Sequence, residues 1–203
     1  MPMNKIDQIY SESLSINDYS KSYIDYLTSV LNSIALSDIE KFIEVLLEAR
    51  ERGSSIFFIG NGGSAATASH FANDIAIGTK TSEKPFRAIS LCDNQAVITA
   101  IANDDGYEEI FSQQLQVLLK QQDVVIGISA SGNSTNLLKA IDTSKKLSAI
   151  TVGISAFDGG KMKEMVDVSL HVPTGKGEYG PAEDSHMMLD HLVSNYLMRL
   201  VRN

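Results

Sequence analysis

Two short Gly/Ser-rich loops, each between an apolar run and a helix-forming segment, constrain the fold more than any other feature. Gly60–Ser64, with the sequence Gly-Asn-Gly-Gly-Ser, follows the apolar run Ile56–Ile59. Ser129–Ser134, with the sequence Ser-Ala-Ser-Gly-Asn-Ser, follows Val124–Ile128 and precedes the helically patterned stretch Thr135–Leu147. Two strand–loop–helix units predict a parallel sheet with both loops at its carboxyl edge, where such sheets bind ligands.

The second loop has the composition of an anion site. At the start of a helix, Ser129–Ser134 offers hydroxyls, a glycine, free backbone N–H groups and the positive end of the helix dipole. These groups suit a phosphate. The loop holds no Lys, so it differs from the nucleotide-binding P-loop. Taken alone, the loop is also compatible with a Ser-rich helix cap that binds nothing.

Short apolar segments alternate with helical patterns along the rest of the chain. We expect one domain over residues 1–203, with a helical part over 1–53 and an α/β part over 54–203. The predicted strands are Ser54–Ile59, Arg87–Leu91, Asp123–Ile128, Ala149–Ile154 and Val168–Val172. The predicted connecting helices are Ser64–Ile75, Asp93–Ala102, Tyr107–Lys120, Thr135–Leu147 and Asp158–Met165, with a turn at Asn103–Gly106. This alternation predicts a three-layer, doubly wound, Rossmann-like or flavodoxin-like α/β fold with a five-stranded parallel sheet.

Helices are also predicted outside the sheet. Two N-terminal helices, Asp18–Asn32 and Asp38–Arg52, precede the first strand, with Ser37 as a cap and Gly53 as a stop. The long helix Pro181–Val201 closes the chain. We expect residues 1–17 to form an arm without regular structure. An apolar stripe on the first helix predicts an oligomer, because it exceeds what a monomer this size leaves in water; it consists of Tyr19, Tyr23, Tyr26, Leu27 and Val30.

Composition excludes several classes of protein. The net charge of −8 argues against binding nucleic acid by neutralising its phosphates. Cys92 is the single cysteine, so no internal disulfide can form, which fits a reducing compartment. Met1–Ser15 lacks the apolar region of a secretory signal, and no apolar run approaches the ~18 residues of a membrane span. These features predict a cytoplasmic protein that binds neither membrane nor nucleic acid.

Five short motifs together resemble the sugar isomerase (SIS) domain family. They are Gly60-Asn-Gly-Gly-Ser-Ala, His70-Phe71-Ala72, Asn103-Asp104, Ser129-Ala-Ser-Gly-Asn-Ser and Asp158-Gly-Gly-Lys-Met. Within that family the chain is most similar to the phosphoheptose isomerases, from about Val30 to the C-terminus. The resemblance implies interconversion of sedoheptulose 7-phosphate and D-glycero-D-manno-heptose 7-phosphate, for lipopolysaccharide or capsule precursors. It also implies a homotetramer and a zinc ion, one per subunit.

The resemblance further implies which residues bind substrate. These positions are Asn61, Gly62, Gly63, Ser64, Asn103, Asp104, Ser129, Ala130, Ser131, Ser134 and Glu183. Ser129, Ser131 and Ser134 match the family's phosphate-binding hydroxyls. Ala130 stands where the heptose enzymes usually have Thr, so only its backbone N–H can donate to the phosphate.

The metal ligands that the resemblance implies are His70, Asp74, Glu183 and His191. Asp74 stands where the family has a catalytic Glu, and Glu183 stands where it has a Gln. His70 and Asp74 are four residues apart, so they share a face of one helix. Periodicity alone would choose Asp184 as the partner of His191, whereas the family register chooses Glu183. We interpret His171 as structural, and His186 as structural or as a subunit contact.

Aldose–ketose isomerisation needs a base that moves a proton between C1 and C2, and an acid that serves the neighbouring oxygens. The resemblance gives these roles to the residues at Asp74 and His191. Because Asp is shorter than Glu by one methylene, its carboxylate is withdrawn by roughly 1.5 Å. We therefore expect Glu183 to be the base and Asp74 a ligand, and the reverse assignment stays open.

Two other functions remain open at this stage. The departures at Ala130, Asp74 and Glu183 could mark an isomerase for a different phosphosugar. A non-catalytic SIS protein that binds the bacterial replication initiator is the second alternative. The two histidines and two acids of the implied metal site favour an enzyme, since a binding module has no use for them.

Overall fold

The computed structural model describes residues 3–81 and 83–202. Within them, helices and strands alternate as the sequence predicts. In chain order the helices are α1 Lys5–Glu12, α2 Ile16–Asn32, α3 Leu36–Arg52, α4 Gly63–Asn73, α5 Gln95–Asp104, α6 Ser112–Leu118, α7 Thr135–Lys146, α8 Gly160–Met165 and α9 Tyr179–Leu200. The strands are β1 Ser55–Gly60, β2 Arg87–Ser90, β3 Val124–Ser129, β4 Ile150–Ser155 and β5 Val168–His171.

The strands form one parallel sheet in the order β2-β1-β3-β4-β5. Strand order reverses between β1 and β3, which are direct neighbours with Gly60 opposite Ile128. The loops after these two strands therefore leave the sheet side by side at the switch point, where open α/β sheets bind ligands. The prediction of a doubly wound, five-stranded parallel sheet is confirmed.

Two apolar cores cover the faces of the sheet. Alternate residues of β1 point to opposite faces, with Ile56 and Phe58 on one side and Phe57 and Ile59 on the other. The first core also includes residues of α3, α4 and α9. The second includes residues of α6, α7 and α8. The helices that carry the histidines of the predicted metal site, α4 and α9, thus share one face of the sheet.

The start of the chain differs from the sequence prediction. Residues 5–12 form helix α1, whereas we expected an arm through residue 17; the first two residues lie outside the described part. Asn4 caps α1 by accepting a hydrogen bond from the Asp7 N–H at 2.9 Å. The Lys5 N–H donates to Glu178 Oε1 at 2.7 Å. This long-range bond to the start of α9 fixes α1, and a polar local sequence gives no sign of it.

Two local predictions at helix ends are corrected. Ser37 is not the cap of α3, because the helix starts at Leu36 with Ala35 as its N-cap; Gly53, with φ +70°, ends it as expected. The turn predicted at Asn103–Gly106 begins later, since Asn103 and Asp104 belong to α5.

The predicted helix Tyr107–Lys120 is two elements, a 3₁₀ turn at Tyr107–Glu109 and helix α6. The break lets the Tyr107 hydroxyl reach Asn61 while Phe111 enters the core. The predicted helix Ser64–Ile75 continues from α4 into a π-helical turn, Asp74–Gly78. The other predicted elements agree to within two residues at either end.

None of the helices in the described part of the chain combines the length and apolar character that a membrane span requires.

Candidate active site

The Gly60–Ser64 loop turns sharply from β1 into α4. Gly62 is the N-cap of α4 with φ +53°, a conformation that favours glycine. A side chain at Gly60 would collide with the backbone carbonyl of Ser64, so the loop folds back closely on the strand. Ser64 is buried in the first turn of the helix. The loop therefore brings its backbone N–H groups to the edge of the sheet.

A network of amides joins this loop to the second one. The side chains of Asn61 and Asn136 exchange two hydrogen bonds, at 2.9 and 2.8 Å. The Tyr107 hydroxyl donates to the same Asn61 oxygen at 2.9 Å. Asn136 lies in the first turn of α7, so the bonds hold the Gly-rich loop against the helix that follows the Ser-rich loop. The sequence analysis missed Tyr107 and Asn136, because no spacing rule connects them to Asn61.

Backbone hydrogen bonds from neighbouring segments hold the Ser129–Ser134 loop in place. Gly132 has φ +59°, and its carbonyl accepts a hydrogen bond from the Met162 N–H at 2.9 Å. The Ala130 carbonyl accepts one from the Ala156 N–H at 3.0 Å. The hydroxyl oxygens of Ser129 and Ser131 lie 3.5 Å apart. The backbone of the loop is thus fixed independently of any ligand.

Ser134 is the N-cap residue of α7, yet among the described residues its hydroxyl makes no capping hydrogen bond. A serine in this position ordinarily accepts a hydrogen bond from its own helix. Its side chain and the first N–H groups of α7 are therefore available to an anion. This geometry fits the predicted phosphate site.

Asn103 and Asp104 lie exposed in the last turn of α5, where the Asn103 amide donates to Asp104 Oδ1 at 2.7 Å. The 3₁₀ turn that follows α5 contacts the Gly-rich loop through Tyr107. Asn103 and Asp104 thus lie only a few residues before Tyr107, which contacts the Gly-rich loop. Their predicted role in binding substrate stays a prediction.

Helices α4 and α9 bring four side chains with metal-ligand chemistry to one point. They are His70, Asp74, Asp190 and His191, and one ligand atom of each lies within 4.8 Å of the others. His70 Nε2 lies 3.2 Å from His191 Nε2, 3.6 Å from Asp74 Oδ2 and 3.7 Å from Asp190 Oδ2. Three of the four residues are those that the sequence analysis assigned to a metal. The fourth, Asp190, was missed.

The environment of Asp190 is unusual for a carboxylate. Its side chain is 0% exposed, and neither oxygen has a hydrogen-bond partner in the described part of the chain. Burial, with a smaller contribution from the charge of Asp74, raises the pKa of Asp190 to about 8. The sequence feature that could have identified Asp190 is an acidic residue beside His191 within the largely apolar segment Met187–Leu192.

Glu183 and Asp184 both lie away from this group. The Glu183 carboxylate packs against Gly63, because a β-carbon added at that glycine would lie 2.5 Å from Glu183 Oε2. Asp184 accepts a hydrogen bond from the Tyr23 hydroxyl of α2 at 2.7 Å. Glu183 therefore faces the Gly-rich loop, and Asp184 ties α9 to α2.

The other two histidines lie within the fold. His186 is 1% exposed on the inner side of α9, and burial lowers its pKa to about 4. His171 ends β5, with its Nδ1 3.1 Å from the Ser155 hydroxyl, and burial lowers its pKa as well. Both surroundings agree with the structural interpretation from the sequence.

Comparisons with known proteins identify the family of this chain. A model of the SIS domain family matches residues 18–156. The chain belongs to the SIS domain family. This SIS-domain chain is 36% identical over 95% of its length to a phosphoheptose isomerase from Helicobacter pylori, and covers 95% of that protein. A phosphoheptose isomerase from Aneurinibacillus thermoaerophilus is 35% identical, with 88% of this chain and 91% of that protein aligned.

Solved structures show the same similarity. A phosphoheptose isomerase from Neisseria gonorrhoeae superposes with a TM-score of 0.82 at 28% identity, over 90% of this SIS-domain chain and 98% of that one. One from Francisella tularensis gives a TM-score of 0.82 at 26% identity, over 91% and 96% of the two chains. The similarity therefore extends over nearly the whole fold.

Proposed function

We propose that this SIS-domain protein is an aldose–ketose isomerase that converts sedoheptulose 7-phosphate to D-glycero-D-manno-heptose 7-phosphate, a heptose precursor of lipopolysaccharide or capsule. One observation carries the proposal. A phosphate-type loop at the β1/β3 switch point lies at the same sheet edge as the Gly-rich loop that leads into the His/Asp group. The named relatives, which align over most of the chain, support the same reaction.

The substrate's phosphate binds at Ser129–Ser134 in this proposal. Ser131 and Ser134 supply hydroxyls, and the first N–H groups of α7 supply backbone donors and the helix dipole. Ala130 contributes only its N–H. The sugar then extends toward Asn61–Ser64, with Asn103 and Asp104 at its side. The hydrogen bonds between Asn61 and Asn136 keep the Gly-rich loop and the start of α7 in a fixed position relative to each other.

The donor set fits a divalent ion, and we propose zinc, one per subunit. His70, Asp74 and His191 would hold the ion, and histidine nitrogens with carboxylate oxygens are ligands that zinc accepts. The partnerless oxygens of buried Asp190 support this fit. When bound, such an ion polarises the neighbouring carbonyl and hydroxyl oxygens of the sugar, which lowers the cost of the enediolate's charge.

Glu183 is the base in this proposal. Its carboxylate removes a proton from C1 of the ketose and returns it to C2, while the O1 proton leaves and O2 gains one, so that the carbonyl moves from C2 to C1. The position of Glu183 against Gly63 places it beside the loop that the sugar contacts. His191 is the acid that the family resemblance implies for the oxygens. The opposite assignment makes Asp74 the base.

We propose that the protein works as a cytoplasmic homotetramer. The predicted stripe on α2 lies partly covered, with Tyr23 and Tyr26 bonded to α9 and the residue before it. Other apolar side chains of the same region are exposed, namely Leu14 at 96%, Ile16 at 74% and Ile24 at 61%. Such a surface supports a subunit contact. Light scattering should give about four times the mass of the 22.1 kDa chain.

The decisive experiment is turnover of sedoheptulose 7-phosphate followed by proton NMR. We expect the aldose signal to grow in, and deuterium from D₂O to enter at C2. Other ketose phosphates, assayed in parallel, test for a different sugar. Absence of turnover on every phosphosugar with metal-loaded protein would contradict the proposal and favour a binding protein.

A further inference from the structure

We propose that Asp190 is a metal ligand of this protein and that it, rather than Glu183, completes the site with His70, Asp74 and His191. The inference deepens the proposed function, on which it rests for the presence of a divalent ion. It changes the site from the family's implied set to two histidines and two aspartates. It also leaves the carboxylate of Glu183 unligated.

The distances between the donors support this set. Ligand atoms about 2.0–2.2 Å from a tetrahedral zinc ion lie about 3.3–3.6 Å from one another. The three distances from His70 Nε2, to His191 Nε2, Asp74 Oδ2 and Asp190 Oδ2, are 3.2, 3.6 and 3.7 Å. Each is close to the edge of such a tetrahedron. The four side chains are thus close enough for one ion to contact an atom of each.

The buried Asp190 carboxylate has His70 Nε2 3.7 Å from its Oδ2, but no hydrogen-bond partner among the described residues. Taking a carboxylate out of water without a hydrogen bond or a counter-charge is costly. Both Asp190 oxygens lack a hydrogen-bond partner among the described residues, and the side chain is fully buried. A cation at the centre of the group removes this cost. The neighbouring His70 and His191 are partly open, so an ion can enter.

Charge balance favours the same ligands. Asp74 and Asp190 together carry two negative charges when ionised, which neutralise a divalent ion, while the histidines bind as neutral imidazoles. Burying a metal site whose charges sum to zero costs less free energy than burying one that carries a net charge. Adding Glu183 as a further ligand would give the site an excess negative charge.

Glu183 has a different neighbour. Helices α4 and α9 run side by side in the same direction, since Glu183 lies at Gly63 and Asp190 lies at His70. Asp190 is two turns, about 10 Å, further along α9 than Glu183. The separation puts Asp190 level with the histidine on α4 and Glu183 level with the Gly-rich loop.

Metal affinity of the full chain tests the inference directly. The protein is stripped with a chelator and titrated with Zn²⁺ against a chromophoric competitor, for the wild type and for Asp190→Asn, Glu183→Gln and Asp184→Asn. We expect Asp190→Asn to weaken zinc binding by about 100-fold or more, and the other two variants to keep the wild-type affinity. Loss of affinity in Glu183→Gln with full affinity in Asp190→Asn would overturn it.

Two further measurements keep the result interpretable. The metal-free Asp190→Asn protein should unfold at a temperature no lower than the metal-free wild type, because it loses an unpartnered buried carboxylate. The rise in Tm that zinc gives the wild type should be absent in this variant. The visible absorption of the Co²⁺ form should change in Asp190→Asn and stay the same in Glu183→Gln. Unchanged Co²⁺ spectra in Asp190→Asn would count against ligation.

These readouts do not depend on turnover. If zinc binds through Asp190 but no phosphosugar is isomerised, the proposed function fails and the ligand assignment stands. If turnover is found and Asp190→Asn binds zinc as tightly as the wild type, the assignment fails and the function stands.

Discussion

The carboxylate of Glu183 packs directly against the α-carbon of Gly63, so that a methyl group at Gly63 would come within 2.5 Å of Glu183 Oε2. Gly63 is in the first turn of α4, next to the Gly62 cap. The absence of a side chain at this position is therefore what allows the acid of α9 to reach the loop. Gly63 and Glu183, which are far apart in the sequence, therefore form one structural unit.

Gly63→Ala should displace this acid without unfolding the protein. The added methyl group meets the flexible end of Glu183, which can rotate away, whereas the helix itself tolerates Ala well. A displacement of about 1 Å at a reacting group costs on the order of 100-fold in kcat. Steady-state kinetics should show this loss, with zinc content equal to that of the wild type. Full activity in Gly63→Ala would mean that the position of Glu183 is irrelevant to catalysis.

The parts of the fold that follow local patterns could be predicted from the sequence. The apolar runs before Gly60 and Ser129, with helical patterns after both loops, gave the parallel sheet and the placement of the loops at its edge. Hydrophobic periodicity and turn-forming residues are local features that span a few residues. They can therefore be recognised in a single sequence. Helix α1 was missed because its anchor, the bond from Lys5 to Glu178, joins the two ends of the chain.

The candidate site shows the same division. His70 and Asp74 could be paired because four residues is a helical spacing. The register of α9 against α4 decides which acid of α9 joins them, and no periodicity within one helix contains that information. The choice between Glu183 and Asp184 therefore omitted Asp190, which packing places beside His70. Tyr107 and Asn136 were missed for the same reason.

The assignment of the base predicts opposite outcomes for two variants. Glu183→Gln should lower kcat by about 100- to 10,000-fold and keep both zinc and substrate binding, because it removes only a proton acceptor. Asp74→Asn should mainly lower zinc occupancy, and added zinc should restore part of its rate. Kinetics with metal analysis on each protein checks this. An active Glu183→Gln beside an inactive, fully metallated Asp74→Asn would restore Asp74 as the base.

Phosphate recognition should depend on hydroxyls rather than on cations. Ser134→Ala removes a hydroxyl that makes no capping bond to its own helix, so stability should change little. A hydrogen bond to a charged group is worth about 1.5–3 kcal/mol, so KM should rise about 10-fold or more in Ser131→Ala and in Ser134→Ala. Inorganic phosphate should inhibit both variants less. Ser11→Ala, at an exposed position of α1, is the control. Unchanged affinity for sugar phosphate and phosphate would reject this site.

Stability should depend strongly on Glu178, a buried acid just before α9. Its carboxylate accepts hydrogen bonds from the Lys5 N–H at 2.7 Å, the Gly175 N–H at 2.8 Å and the Tyr26 hydroxyl. Glu178→Ala leaves these donors without an acceptor and should lower the free energy of unfolding by about 3 kcal/mol or more. Tyr26→Phe should cost about 1–2 kcal/mol. Urea unfolding measures both, and Glu44→Ala, at an exposed position of α3, should stay within about 0.5 kcal/mol of the wild type.

His186 should make the protein less stable in weak acid. Burial lowers its pKa from 6.5 to about 4 in the folded state. Between those values the unfolded chain binds a proton that the folded chain does not, so the free energy of unfolding falls as pH decreases. Above pH 6.5 the residue is neutral in both states and contributes no pH dependence. The full shift corresponds to about 3 kcal/mol.

The variant His186→Gln isolates this contribution from that of the acidic residues. Urea unfolding of the metal-free chain at intervals from pH 7.5 to about pH 4 should show a shallower loss of stability in the variant than in the wild type. The difference between the two curves should open below about pH 6.5 and level off near pH 4, because the folded-state histidine titrates there. Parallel curves over the whole range would show that His186 takes up its proton equally in the folded and unfolded states, contrary to its burial in α9.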